Sequence, residues 1–252
     1  MSLDVLFGNA YDYVARECSD VQENFIDVIA EARNMPTEWI QQAQGIFIPN
    51  NEFMLEVFGR EILEYDTYRN GICIWDNALI FPIRDVNDIV RGIAGFFPFE
   101  YVDEESKQNH YAYSSQAVFQ KGRFMFFPQG GLLKSIRDEY ILIVDGIFDA
   151  ISLCGAGFDA AALMGSNVTP EIIMQLRFVK NVIVIADNDS SGYKLYDSLK
   201  KGIPNAILFK HGLSKDADDA LKGENAEAFL RMLRVELIKL GIESTSKINA
   251  PL

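Results

Sequence analysis

VIVIADNDSSG, residues 182–192, sets five apolar residues ahead of Asp187 and Asp189, which stand one residue apart before a serine pair and a glycine. A run of β-branched residues without alternation reads as a strand buried on both faces, as in a parallel sheet. Two like charges at the end of such a strand repel each other unless something cationic lies between them. The neighbouring segments repeat the pattern.

YILIVDG (140–146) is a second apolar run ending in an acid, Asp145, and IFDAISLCGAG (147–157) follows as a helix that places Asp149 about one turn beyond it. FDAAALMGSN (158–167) reads as a strand and turn, and TPEIIMQLR (169–177) as a helix with Thr169 at the N-cap and Pro170 at the first helical position. NVIVIAD, SGYKLYDSLKKG, NAILFK, DADDALKG and NAEAFLRMLRVELIKLG continue the series as strand, helix, strand and two helices. Strand and helix alternate from Tyr140 onward, which predicts an α/β half with a largely parallel sheet.

In open sheets of this kind ligands sit beyond the carboxyl ends of the strands. Asp145 with Asp149, Asp187 with Asp189, and Asp216 with Asp218 all fall there. A lone aspartate after a strand is about three times more often a helix N-cap than a ligand, but three such pairs reverse those odds. A divalent ion is the economical partner, and an all-oxygen donor set suits Mg²⁺ or Mn²⁺.

The first half reads differently. NFIDVIAEARNM and PTEWIQQAQG make residues 1–45 a helical segment, and residues 46–128 turn to short strands: GIFIP, GICIW, ALIFPIRD, DIVRGIAGFF and KGRFMFF. RDVNDIVRG between two of them predicts a hairpin connection. The chain of 252 residues carries a net charge of −13, which argues against a surface that coats nucleic acid throughout. Yet Ser106 to Arg137 contains no acid, while Lys107, Lys121, Arg123, Lys134 and Arg137 lie among Tyr111, Tyr113, Phe119, Phe124, Phe126 and Phe127. Such a mixture suits a groove that attracts a phosphate backbone and stacks bases, with an ordinary amphipathic sheet edge equally compatible.

Cys18, Cys73 and Cys154 are too scattered for a disulfide framework or a paired zinc site, and no apolar run nears the roughly 20 residues of a membrane-spanning helix. A soluble protein of a reducing, cytoplasmic compartment is expected.

VDGIFDAISL, ALMGSNVTPEIIMQL, VIVIADNDSSGYKL and LSKDADDAL together resemble the Toprim domain of DnaG-type DNA primases. Upstream, ALIFPIRDVNDIVRGIAGFF is similar to that family's FPI-containing hairpin, and HYAYSSQAVFQKGRFMFF to its stretch with an F-K motif, so that the resemblance covers about residues 72–222. It implies an α+β N-terminal and middle subdomain followed by an α/β Toprim domain. The divisions expected are a helical segment at 1–45, a nucleic-acid-binding subdomain at 46–137, the Toprim domain at 138–222 and a helical segment at 223–252.

Carried over by position, the resemblance implies Asp145, Asp149, Asp187 and Asp189 as catalytic acids and Asp145, Asp187, Asp189, Asp216 and Asp218 as metal ligands. Lys121 matches the lysine of the F-K motif, His110 stands where the family has a lysine, and Arg91 and Arg123 are candidates for the remaining phosphate contacts. The first acid is normally Glu and here is Asp145.

The implied activity is primer synthesis from ribonucleoside triphosphates on single-stranded DNA, in a phage-like form whose zinc ribbon, if used, belongs to another polypeptide. A replicative helicase is the expected protein partner, and no membrane is involved. A Toprim nuclease or phosphodiesterase, a non-catalytic replisome or nucleic-acid-binding module, and a receiver-like domain with an acidic Mg²⁺ pocket are the alternatives. The helix around Phe229–Leu240 has apolar residues on more than one face, suited to the core or to a partner.

Overall fold

The computed structural model describes residues 1–65, 68–69, 72–73, 75–98, 111–113, 121–165, 167–187 and 190–242. It divides into two compact units, Met1–Lys121 and Gly122–Leu252.

The first unit opens with α1 (Leu3–Glu17), whose N-cap Ser2 accepts from the Val5 N–H and whose Leu3, Leu6, Phe7, Ala10 and Val14 form one buried stripe. α2 (Ser19–Ala32), α3 (Thr37–Gln42), β1 (Ile46–Ile48) and α4 (Asn51–Phe58) follow. α4 falls in a stretch expected to hold only strands. Asn50 starts it by accepting from the Phe53 N–H at 2.9 Å, the side-chain cap that Asn favours.

β2 (Tyr68–Arg69) and β3 (Ile72–Cys73) pair with each other. β4 (Ala78–Arg84) and β5 (Val90–Phe96) form the expected antiparallel hairpin, and β6 (Tyr111–Tyr113) extends it, giving a sheet ordered β1-β4-β5-β6. Trp75 is fully buried within this unit, and Gly95 allows it, since a Cβ there would run into the indole ring.

The outer edge of β1 is closed by a side chain. Buried Gln22 donates from Nε2 to the Phe47 carbonyl at 2.8 Å and accepts the Phe47 N–H at 2.9 Å, so that its amide stands in for a neighbouring strand. Gln22→Leu keeps the volume but strands both backbone groups in a dry interior, and should lower the stability of this unit by about 2–4 kcal/mol. The urea midpoint measures it, and an unchanged midpoint would show that water reaches Phe47.

A 3₁₀ turn at Lys121–Arg123 leads into the second unit, where a strand is expected from KGRFMFF. The Thr169 hydroxyl donates to the Gly122 carbonyl at 2.5 Å and the Gln175 amide to the Arg123 carbonyl at 2.9 Å, which consumes the acceptors a strand would need. Only Phe126 pairs in β fashion, as an isolated bridge with Ala162.

α5 (Gly131–Arg137), β7 (Tyr140–Val144), α6 (Ile147–Gly155), β8 (Ala160–Ala162), α7 (Pro170–Leu176), β9 (Asn181–Ile185), α8 (Ser190–Gly202), β10 (Ile207–Phe209), α9 (Ala217–Lys222) and α10 (Ala226–Lys239) complete the chain. The sheet is ordered β10-β9-β7-β8 and every pairing is parallel. β7 and β9 are buried along nearly their whole length, as their unbroken apolar runs require. The expected arrangement, an α+β region followed by an α/β domain with a parallel sheet, is the one observed.

Candidate metal centre

β7 and β9 are neighbours with Tyr140 opposite Asn181 and Ile143 opposite Val184, so both strands end at the same level and release Asp145 and Asp187 side by side. α6 starts at once after Gly146, which brings Asp149 into its first turn. The carboxylates of Asp145, Asp149 and Asp187 each offer an oxygen within 4.8 Å of the others. Gly146 makes this close approach feasible, because any Cβ at that position would collide with the Asp149 carboxylate.

Asp149 is the buried member at 8% exposure, while Asp145 and Asp187 are half-buried. Burial pushes the Asp149 carboxyl well above the usual carboxylate range, and the charges of Asp216, Asp187 and Asp218 push the same way. The opposing influence is the Asp218 N–H, which donates to Asp149 Oδ1 at 2.9 Å.

Asp216 and Asp218 lie outside the group of three. Asp216 caps α9 by accepting the Asp219 N–H at 2.8 Å, and burial raises its carboxyl as well. Asp218 is 4% exposed, with Oδ1 receiving the Ser152 hydroxyl at 2.5 Å and Oδ2 paired with Lys222. Neither Ser152 nor Lys222 figures in the sequence reading, although both had a signal. Ser152 lies three residues after Asp149 and Lys222 four after Asp218, spacings that share a helix face.

Arg91 is bound to Asp85 at 2.7 Å. Burial pushes the Asp85 carboxyl up, but the hydrogen bonds from Arg91, Asn87 and Ile89 outweigh it and hold the group below its ordinary value. Arg123 is exposed and 3.6 Å from Glu171. The acid-free window is therefore not a bare cationic surface: Lys134 pairs with Asp138 and Asp159, and Arg137 with Asp138. Phe126 is fully buried in the second unit and is no stacking platform. Asp189, His110, Phe119 and the side chains of Lys121, Tyr111 and Tyr113 lie outside the described residues.

Comparison with known proteins agrees with this geometry. A family described as Toprim-like matches residues 142–221, the stretch that carries β7 to α9. The DNA primase of Rickettsia bellii is 27% identical over 225 residues, covering 80% of this chain and 36% of its own length. The DNA primase of Rickettsia felis is likewise 27% identical over 173 residues and is covered to 28%, so the chain spans about a third of the length of these curated relatives.

The E. coli primase catalytic core superposes with a TM-score of 0.66 at 21% identity, covering 94% of this chain and 83% of that one. A DnaG primase catalytic domain bound to single-stranded DNA superposes with a TM-score of 0.64 at 19% identity, covering 91% and 82%. The second unit thus carries a Toprim-like domain, and the chain as a whole has the fold of a DnaG-type primase catalytic core.

Proposed function

We propose that this chain is the catalytic core of a primase that joins ribonucleotides on single-stranded DNA, with Asp145, Asp149 and Asp187 holding a divalent ion. The observation that carries the proposal is the convergence of these three carboxylates at the carboxyl edge of a parallel sheet, within a fold shared with DnaG catalytic cores.

The donor set fits Mg²⁺ or Mn²⁺ on its chemistry. All donors are carboxylate oxygens, which hard cations prefer, and Asp149 is raised by burial and by its acidic neighbours. A cation at the three acids would relieve that repulsion, whereas Lys222 is engaged with Asp218. An ion bound there supplies charge neutralisation for a pyrophosphate leaving group and favours ionisation of the attacking 3′-hydroxyl.

The protein's own part is positional. Asp149 is held by the Asp218 N–H and Asp218 by Ser152 and Lys222, so the deepest carboxylate rests on a fixed support. Asp145, though one methylene shorter than glutamate, still reaches the group. Asp189 is proposed as a further ligand from the sequence, Asp216 and Asp218 as its outer companions, and Arg91, His110, Lys121 and Arg123 as contacts to nucleotide or template phosphates. A cytoplasmic setting, and a helicase or zinc-bearing polypeptide as partner, belong to the same reading.

Incubation with labelled ribonucleoside triphosphates, unprimed single-stranded DNA and Mg²⁺ or Mn²⁺ should yield short RNA oligomers, abolished by chelation and by Asp187→Asn. Cleavage of the DNA without synthesis would replace this reading with a Toprim nuclease. Absence of both activities, with metal and single-stranded DNA still bound, would make the chain a binding module.

A further inference from the structure

α10 seats Phe229, Leu233 and Leu237 in the interior, where Phe229 meets the Phe209 ring edge-on at 5.8 Å. That stripe leaves a second apolar row on the same helix exposed among the described residues. Met232 is 38%, Val235 45% and Ile238 65% exposed. This row flanks a groove of about 500 Å³ lined by Leu208, Phe209, Lys210, Arg231, Met232, Val235, Glu236 and Lys239. One wall is β10, the edge strand of the parallel sheet, whose only strand partner among the described residues is β9.

The charge of the groove is opposite to that of the chain. Lys239 is paired with the groove's one acid, Glu236, at 3.0 Å, so Lys210 and Arg231 leave the rim net positive in a protein whose net charge is −13. A nucleic-acid backbone would suit the cations alone, but the apolar floor of Leu208, Phe209, Met232 and Val235 would gain nothing from phosphates. A peptide that alternates acidic and apolar side chains satisfies both halves: its carboxylates meet the rim, its apolar side chains cover the floor, and its backbone can run along the edge of β10.

We infer that the groove between β10 and α10 is a docking site for an acidic, apolar-bearing segment of a partner protein. This surface is separate from the carboxylate centre and does not depend on the proposed chemistry there.

The test uses the full chain with ¹³C-labelled methionine, leucine and valine methyls. The titrants are a fluorescent peptide alternating aspartate with leucine and phenylalanine, its lysine counterpart, and oligothymidylate. The acidic peptide should shift the methyls of Leu208, Met232 and Val235, bind more weakly as salt rises, and lose about tenfold in affinity in an Arg231→Glu/Lys239→Glu variant and again in Val235→Asp. The lysine peptide should not bind, and primer synthesis by the charge-reversed variant should match wild type, which separates this site from the catalytic one.

Undiminished peptide affinity in both variants would overturn the assignment. So would oligothymidylate moving these methyls where the peptide does not, which would make the groove a nucleic-acid contact. Self-association that Val235→Asp abolishes would make a second copy of this chain the occupant.

Discussion

Asp149→Asn should lower metal-dependent primer synthesis by at least about a hundredfold while raising the melting temperature of the chelated protein by about 3 °C. The two effects share one cause. Burial first, and then the charges of Asp216, Asp187 and Asp218, hold the Asp149 carboxyl well above the usual range. Each ionised copy is thus a cost to the metal-free fold that an amide avoids. The amide oxygen can still accept the Asp218 N–H that Oδ1 now accepts, so the support of the site survives the change.

The pH dependence follows from proton linkage. With its folded value above its unfolded one, Asp149 binds more protons in the native state, so its contribution to stability is most favourable at low pH and is lost as pH rises through the raised value. In chelator, the second unit should therefore gain stability from this group as pH falls toward the ordinary carboxylate range, and Asp149→Asn should flatten that part of the profile. Divalent ion reverses the preference, since it requires the ionised carboxylates. Calorimetry across pH, with and without Mg²⁺, reads both. A variant that melts lower than wild type in chelator and still makes primers would show that Asp149 serves only the hydrogen bond to Asp218.

Much of this site could be read from local sequence because its ingredients are local. VIVIAD and YILIVD each announce a doubly buried strand ending in an acid, which puts the acids at one sheet edge, while the pairing of the two strands with each other is seen only in the fold. The Thr169–Pro170 helix start is equally legible, because a hydroxyl cap and a proline at the first helical position act within one turn.

What escaped depends on partners outside the segment being read. KGRFMFF has strand composition, yet Thr169 and Gln175 claim its carbonyls from 47 and 52 residues away. The acid-free stretch looked uniformly basic because Asp138, Asp159 and Glu171 lie beyond its end. Likewise the division of labour between Asp216 as cap and Asp218 as support cannot be told from DAD alone. It is set by Ser152, 66 residues earlier, and by Lys222.

That support yields the larger stability effect. Lys222→Met should destabilise the second unit by about 3–5 kcal/mol, because it removes the cation from a pair in which Asp218 is 4% exposed and the Lys222 side chain 10%. The methionine fills similar space, so the loss is chiefly that of the cation facing a buried carboxylate. Asp218→Asn alone should cost less, since Ser152 can still donate to the amide oxygen, and the double variant Lys222→Met/Asp218→Asn should recover most of the stability lost by Lys222→Met.

Activity should recover along with it. In Lys222→Met the Asp218 charge stands beside Asp149 without the Lys222 ammonium to offset it and raises the repulsion at the site, whereas the double variant removes both charges and keeps the Asp218 backbone N–H on Asp149. Denaturant midpoints give the coupling between the two residues, and the Mg²⁺ concentration for half-maximal synthesis gives their effect on the centre. Strictly additive midpoints would mean that Lys222 and Asp218 act independently, and the support assigned to them under Asp149 would then be wrong.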